Sequence, residues 1–140
     1  MIYYFAYGSN LHHLRMKKRC PNCRFVKKMI LKNYQMTFRS KHGAADIEKK
    51  LGGKVYGALY VISKAAEKRL DLYEDFPFLY KKKYFKYYNK KVMTYTMTKK
   101  TKLVPPTKRY LNIVRQGYKD CKLSFKSLNA ALQPLKHLSR

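Results

Sequence analysis

Two short segments of this 140-residue chain carry residue types suited to chemistry. The first is Tyr7-Gly8-Ser9-Asn10, directly after the apolar run Ile2-Tyr3-Tyr4-Phe5-Ala6. Strand-forming residues that stop at a glycine and two short polar side chains predict a strand–turn–helix junction, with Ser9 and Asn10 as candidate caps. Such a turn points several backbone N–H groups at one spot, a geometry suited to a carboxylate, a phosphate or a developing oxyanion. The second is Glu67, Asp71, Glu74 and Asp75, four of the seven acidic residues gathered within nine positions. Glu74 falls where a helix is expected to end, against Phe76, Phe78 and Tyr80. Aromatic walls solvate a carboxylate poorly, which raises its pKa towards neutrality and suits it to general acid–base work. Each segment also has a scaffold reading: an ordinary junction for the first, and a surface carboxylate paired with a lysine for the second.

The elements that must hold these segments follow from periodicity. A strand is expected at 2–7 and a short helix at about 11–18, with Leu11, Leu14 and Met16 inward. Residues 25–39 read as two strands or one long bent strand with Asn33 near the turn, and 54–62 as a clear strand. Ser63 caps a helix running to about Tyr73, with Glu67 near its first turn. Residues 80–88 and 91–98 form a hairpin across Asn89-Lys90. After Pro105-Pro106, Thr107 caps a helix of about ten residues ending at Gly117, and a last helix runs over about 124–132 until Pro134 stops it. The segments 41–53 and 99–104 read as loops. This order lacks the regular alternation of a doubly wound sheet. It predicts an α+β fold, a small mixed β-barrel flanked by short helices, in one domain spanning residues 1–140.

Composition narrows the setting. No apolar stretch approaches the roughly 20 residues that span a bilayer, and the start lacks the pattern of a signal peptide, so a cytoplasmic protein is expected. The net charge of +26 arises from 33 basic residues of which only eight are Arg. Specific nucleic-acid readers lean on Arg, and these lysines are spread through every element, so only nonspecific attraction to polyanions is expected. Cys20-Pro21-Asn22-Cys23 has zinc-knuckle spacing without a second pair, which predicts reduced structural thiols and no metal. His12, His13, His42 and His137 form no triad pattern.

Taken together, the motifs resemble the gamma-glutamylcyclotransferase family, including its AIG2-like members. The matching pieces are Tyr4-Phe5-Ala6-Tyr7-Gly8-Ser9-Asn10-Leu11, Arg19-Cys20-Pro21, Val55-Tyr56-Gly57-Ala58-Leu59-Tyr60 and Leu70-Asp71 with Glu74. They continue through Tyr80, Tyr95-Thr96-Met97, Pro105-Pro106-Thr107-Lys108-Arg109-Tyr110 and Gln116-Gly117. The resemblance covers nearly the whole chain and implies a small mixed barrel with helices outside. It also implies a lyase or acyltransferase-type reaction without a cofactor, in which a γ-glutamyl amino acid or amine is converted to 5-oxoproline and the free amine. The substrate's own α-amine attacks its γ-carbonyl, so no protein nucleophile is required. Glu74 carries over as the general acid–base. Tyr4, Phe5, Ala6, Tyr7, Gly8, Ser9 and Asn10, with Tyr80 and Tyr110, carry over as substrate-binding residues.

The family usually has glycine where this chain has Asp75. Its replacement is expected either to shift the backbone after Glu74 or to bring a second negative charge beside it, raising its pKa further or selecting a cationic leaving group. The alternative reading is a cyclotransferase-like binding module that no longer catalyses and holds an anionic partner, nucleic acid or membrane surface, on its lysines. No motif reports the oligomeric state or the leaving group.

Overall fold

A computed structural model of the chain describes residues 1–138. Strand β1 (Ile2–Ala6) runs into a 3₁₀ turn (Ser9–Leu11) and helix α1 (His13–Arg19). Two long strands follow, β2 (Arg24–Arg39) and β3 (Ala44–Ile62), then α2 (Lys64–Tyr73), β4 (Tyr80–Tyr87) and β5 (Lys90–Met97). Helices α3 (Lys108–Asp120) and α4 (Lys126–Leu132) complete the fold, with a closing 3₁₀ turn at Gln133–Leu135.

The five strands form one mixed sheet in the order β2-β3-β1-β5-β4. Its central strand β1 pairs antiparallel to β3 and parallel to β5, and supplies the fully buried Phe5 and Ala6 to the core. The architecture is the expected mixed α+β one, but the sheet is not closed into a barrel. The start of β3 does curl over towards β4 and β5, where side chains make the junction in place of a backbone ladder. Tyr80 Oη donates to the Ala45 carbonyl at 2.6 Å, and Met97 N–H donates to Asp46 Oδ1 at 2.8 Å.

Several boundaries differ from expectation. Residues 44–53, expected as loop, are the first half of β3, and 44–49 pair with 34–39 of β2 past an irregularity at Asn33, whose φ is 65°. The hairpin between them turns through Gly43 (φ 65°), where a Cβ would meet the Pro105 carbonyl carbon at 2.6 Å, so only glycine fits. The β4–β5 turn falls one residue early, at Tyr88-Asn89, with Tyr88 at φ 55°. Helix α3 does not stop at Gly117. A Cβ there would stand 2.6 Å from Leu11 Cβ, so this glycine lets the helix lie directly on the 3₁₀ turn. Leu14, expected inward, is 69% exposed because α1 begins only at His13 and turns that position to solvent. Cys20 and Cys23, expected as free thiols, lie side by side at the end of α1. The turn held by Cys23 N–H on the Cys20 carbonyl brings their Cα atoms to 5.4 Å, within bridging range.

Candidate active site

The two segments singled out by residue type meet at one cavity of about 320 Å³, counting its open mouth. Its wall contains the backbone turn of Tyr7, Gly8, Ser9 and Asn10, the carboxyl of Glu74, Ala45 of β3, and the rings of Tyr4, Tyr80, Tyr95 and Tyr110. Phe5 and Ala6 are not part of it. They alternate into the core, Phe5 packing edge-on against Phe85 at 6.2 Å between centroids.

The turn owes its shape to packing. Gly8 has a negative φ, and the demand on it is for space: an added Cβ would stand 3.1 Å from Ala45 Cβ and 3.5 Å from the Tyr110 hydroxyl. Neither Ser9 nor Asn10 caps the helix. That role falls to His12, whose Nδ1 accepts from Arg15 N–H at 3.3 Å. Asn10 is instead buried and bridges the site, donating to the Tyr4 hydroxyl at 2.9 Å and accepting from Arg19 Nη1 at 2.8 Å.

Ala45 was absent from the expected site, yet it fixes two of the tyrosines. Its N–H donates to Tyr110 Oη at 3.1 Å, and its carbonyl accepts from Tyr80 Oη. Tyr95 was also missed as a wall residue. Its carbonyl accepts from Tyr7 Oη at 2.7 Å, while its own hydroxyl donates to Asp71 Oδ1 at 2.6 Å. Burial raises the pKa of Tyr4, Tyr7, Tyr80 and Tyr95 well above the ordinary phenol range, and that of Tyr110 to about 12. All five therefore stay neutral hydroxyls.

The acidic cluster divides into separate tasks. Glu67 and Asp71 both pair with Lys82, at 2.9 and 3.0 Å, and Asp71 also holds Tyr95. Glu74 forms no ion pair among the described residues and faces the cavity. Burial raises its pKa to about 7, against the pull of the Arg19 and Arg15 charges, which favour the carboxylate. Its apolar surroundings are the tyrosine rings. Phe78 is 76% exposed, and Phe76 lies beneath the Lys82 ammonium, so the expected phenylalanine wall is not there.

Asp75 does not raise the Glu74 pKa; the charges acting on that carboxyl are those of Arg19 and Arg15. Nor does the chain avoid a left-handed helix ending for want of glycine. Asp75 adopts φ 51°, with its N–H bonded to the Leu72 carbonyl and the next N–H, of Phe76, bonded to the Asp71 carbonyl. This is the Schellman ending of a helix, with an aspartate at the left-handed position where glycine is usual. It leaves Glu74 as the last residue before the chain reverses.

A five-stranded mixed sheet that brings a glycine turn and a carboxylate at a helix end to one cavity defines the class as an α+β cavity protein. The family model described as gamma-glutamyl cyclotransferase, AIG2-like, matches residues 4–117. The chain belongs to that family. Among solved structures it is similar to a gamma-glutamyl cyclotransferase at 23% identity and TM-score 0.79, covering 99% of this chain and 92% of that one. It is also similar to an uncharacterised human protein at 24% identity and TM-score 0.77, with 93% and 85% covered. YkqA from Bacillus subtilis aligns at 24% identity and TM-score 0.80 over 99% of this chain and 55% of its own. These likenesses show the fold. No curated protein sequence matches the chain.

Proposed function

We propose that this protein is a cytoplasmic γ-glutamyl cyclotransferase, releasing 5-oxoproline and a free amine from a γ-glutamyl amino acid or amine. The observation that carries the reading is Glu74: a carboxyl with pKa raised to about 7, in no ion pair among the described residues, and lining the same cavity as the Tyr7–Asn10 turn. A group titrating near neutrality is suited both to take a proton and to return it.

In this mechanism the ionised Glu74 takes a proton from the substrate's α-ammonium. The amine nitrogen attacks the γ-carbonyl carbon, forming the new C–N bond of the lactam ring and leaving negative charge on the carbonyl oxygen. The N–H groups that open the 3₁₀ turn receive that oxyanion, each worth ~3 kcal/mol. Collapse breaks the bond to the leaving amine, which takes the proton from Glu74. The ring nitrogen then gives its second proton to the regenerated Glu74 carboxylate, which passes it to the departing amine. Neutral lactam and protonated amine leave, and Glu74 is again ionised. Folding the glutamyl chain so that nitrogen meets carbonyl contributes up to roughly 7–11 kcal/mol. The neutral hydroxyls of Tyr80 and Tyr110, both tied to Ala45, hold the wall rigid around the reacting atoms.

The test is incubation of the protein with a panel of γ-glutamyl amino acids and amines, with 5-oxoproline measured directly. Formation from at least one member is expected. Absence of product across the panel would overturn the reading.

A further inference from the structure

Strands β2 and β4 stand at opposite ends of the sheet and do not pair, yet the curl brings the β4–β5 hairpin close to β2. The Lys27 ammonium lies over the rings of Tyr87 and Tyr88, 5.1 and 5.4 Å from their centroids. Here β2, the hairpin and the turn joining α3 to α4 enclose a groove of about 900 Å³, counting its open mouth. It shares no residue with the Glu74 cavity. The buried Met29 and Leu123, with the two tyrosines, give it apolar walls. Lys28, Lys32 and Lys122 also line it, and no acidic residue does. None of these lysines is in an ion pair among the described residues. Lys28 Nζ donates to the Lys122 carbonyl at 3.4 Å, which ties β2 to the turn.

Two of the lining residues occupy positions that suit glycine. Tyr88 is the first residue of the two-residue hairpin turn, at φ 55°. Lys122, at φ 56°, ends α3: its N–H donates to the Lys119 carbonyl and the next N–H, of Leu123, to the Tyr118 carbonyl. That is a Schellman ending with lysine at the left-handed position. A bulky ring or a lysine gains nothing locally from such angles. Residues kept in a strained conformation, where glycine would be free, point to a use for their side chains. Both line the same groove.

We propose that this groove is a second ligand site, which takes a small amphiphilic carboxylate. Its acyl body lies against the tyrosines, Met29 and Leu123, and its head group on the lysines. The volume falls within the roughly 300–1,000 Å³ of small-molecule sites, and apolar walls with a few convergent polar groups are their usual make-up. The unpaired cations select an anion. A second copy of this chain, at net charge +26, is repelled. A concave groove enclosed by three elements holds one molecule and does not rest on a bilayer.

Calorimetric titrations with decanoate, acetate and decyltrimethylammonium separate body from head. Decanoate should bind saturably, one per chain. Acetate, which lacks the body, and decyltrimethylammonium, which reverses the charge, should not bind. Tyr88→Gly and Lys122→Gly should each weaken decanoate binding about five-fold or more. Their thermal midpoints should not fall below that of the wild type, because glycine relieves the strain. Lys99→Gln, which removes an exposed charge outside the groove, should leave the affinity unchanged. Lower thermal midpoints in both glycine variants would show that Tyr88 and Lys122 serve the fold, and would overturn the assignment. So would absence of saturable decanoate binding, undiminished affinity in the glycine variants, or a loss in Lys99→Gln as large as theirs, the mark of diffuse charge. Binding to phosphatidylglycerol vesicles without binding of decanoate would overturn it in favour of a membrane surface.

Discussion

Asp46 is fully buried and Glu74 half-buried at the cavity, and the fold treats them in opposite ways. Asp46, on β3, is fully buried and saturated: Met97 N–H donates to one oxygen and Lys100 Nζ pairs with the other at 2.6 Å. It joins the curled start of β3 to the end of β5, where no backbone ladder does so. Glu74 lines the tyrosine cavity, in no ion pair among the described residues, with burial raising its pKa to about 7. A buried carboxylate whose two oxygens both have partners is held in place by them and serves the scaffold. One left unpaired beside a cavity is held near the point where it changes charge, and is available to move a proton.

The largest expected effect breaks the comparison on the chemical side. Glu74→Gln keeps the size of the side chain and removes the titration. Release of 5-oxoproline should fall about 10²–10⁴-fold, while circular dichroism remains that of the wild type. In the wild type, kcat/KM should rise through pH of about 7 as Glu74 ionises, and that limb should be absent from the residual activity of the variant. Unchanged turnover in Glu74→Gln would remove Glu74 from the mechanism.

Asp46→Asn breaks it on the structural side. The amide still accepts from Met97 but leaves Lys100 without its counter-ion. Because Lys100 is 40% exposed and free to turn outward, the cost should be about 2 kcal/mol, below that of breaking a fully buried pair. Urea denaturation measures it. The pH midpoint of activity should stay where it was; a shifted midpoint would mean that the two carboxylates are coupled.

A smaller effect sharpens the contrast through linkage. The folded-state pKa of Glu74 is raised, so between pH of about 4.5 and about 7 the native state retains a proton that the unfolded chain has lost. Stability therefore falls as pH rises across that window and levels off above it. Glu74→Gln escapes this penalty. It should exceed the wild type by about 1–2 kcal/mol at pH 8, allowing for the solvent-facing mouth, and match it at pH 4.

How much of this was legible beforehand differs between the same two regions. The Glu74 region announced itself locally: a capped helix, a cluster of acids in a basic chain, and a glycine turn after a strand are all encoded within a few residues. The family resemblance then brought Tyr80 and Tyr110 to the same place. The Asp46 region was read as loop because Ala44 to Lys50 mixes small and charged residues and follows a glycine. Its strand character comes from pairing with 34–39, and Asp46 is tolerated inside only because Lys100 and Met97 arrive from fifty residues away. Ala45 was invisible for the same reason, since its contribution is its backbone N–H and carbonyl and not its side chain. Tyr95 stood in a strand that the pattern did identify, but which face looked onto the cavity depended on how far the sheet curled. The open sheet itself could not be told from a barrel by counting strands, because closure depends on whether the curled edge makes a ladder or only side-chain bonds.

The smallest effect concerns the residue between the helix end and its reversal. Asp75 holds φ 51° in the Schellman ending of α2, a conformation that glycine adopts freely and that strains most other residues, aspartate less than most. Its side chain is exposed and is not among the charges that act on Glu74. Asp75→Gly should therefore relieve local strain without altering the Glu74 carboxyl. The expected gain is about 0.5–1 kcal/mol in urea denaturation, reduced by the greater freedom of glycine in the unfolded chain, with kcat and its pH midpoint unchanged. A moved midpoint would show that the Asp75 charge reaches Glu74 after all. A loss of stability would show that the aspartate contributes something to the turn that its backbone angles do not reveal.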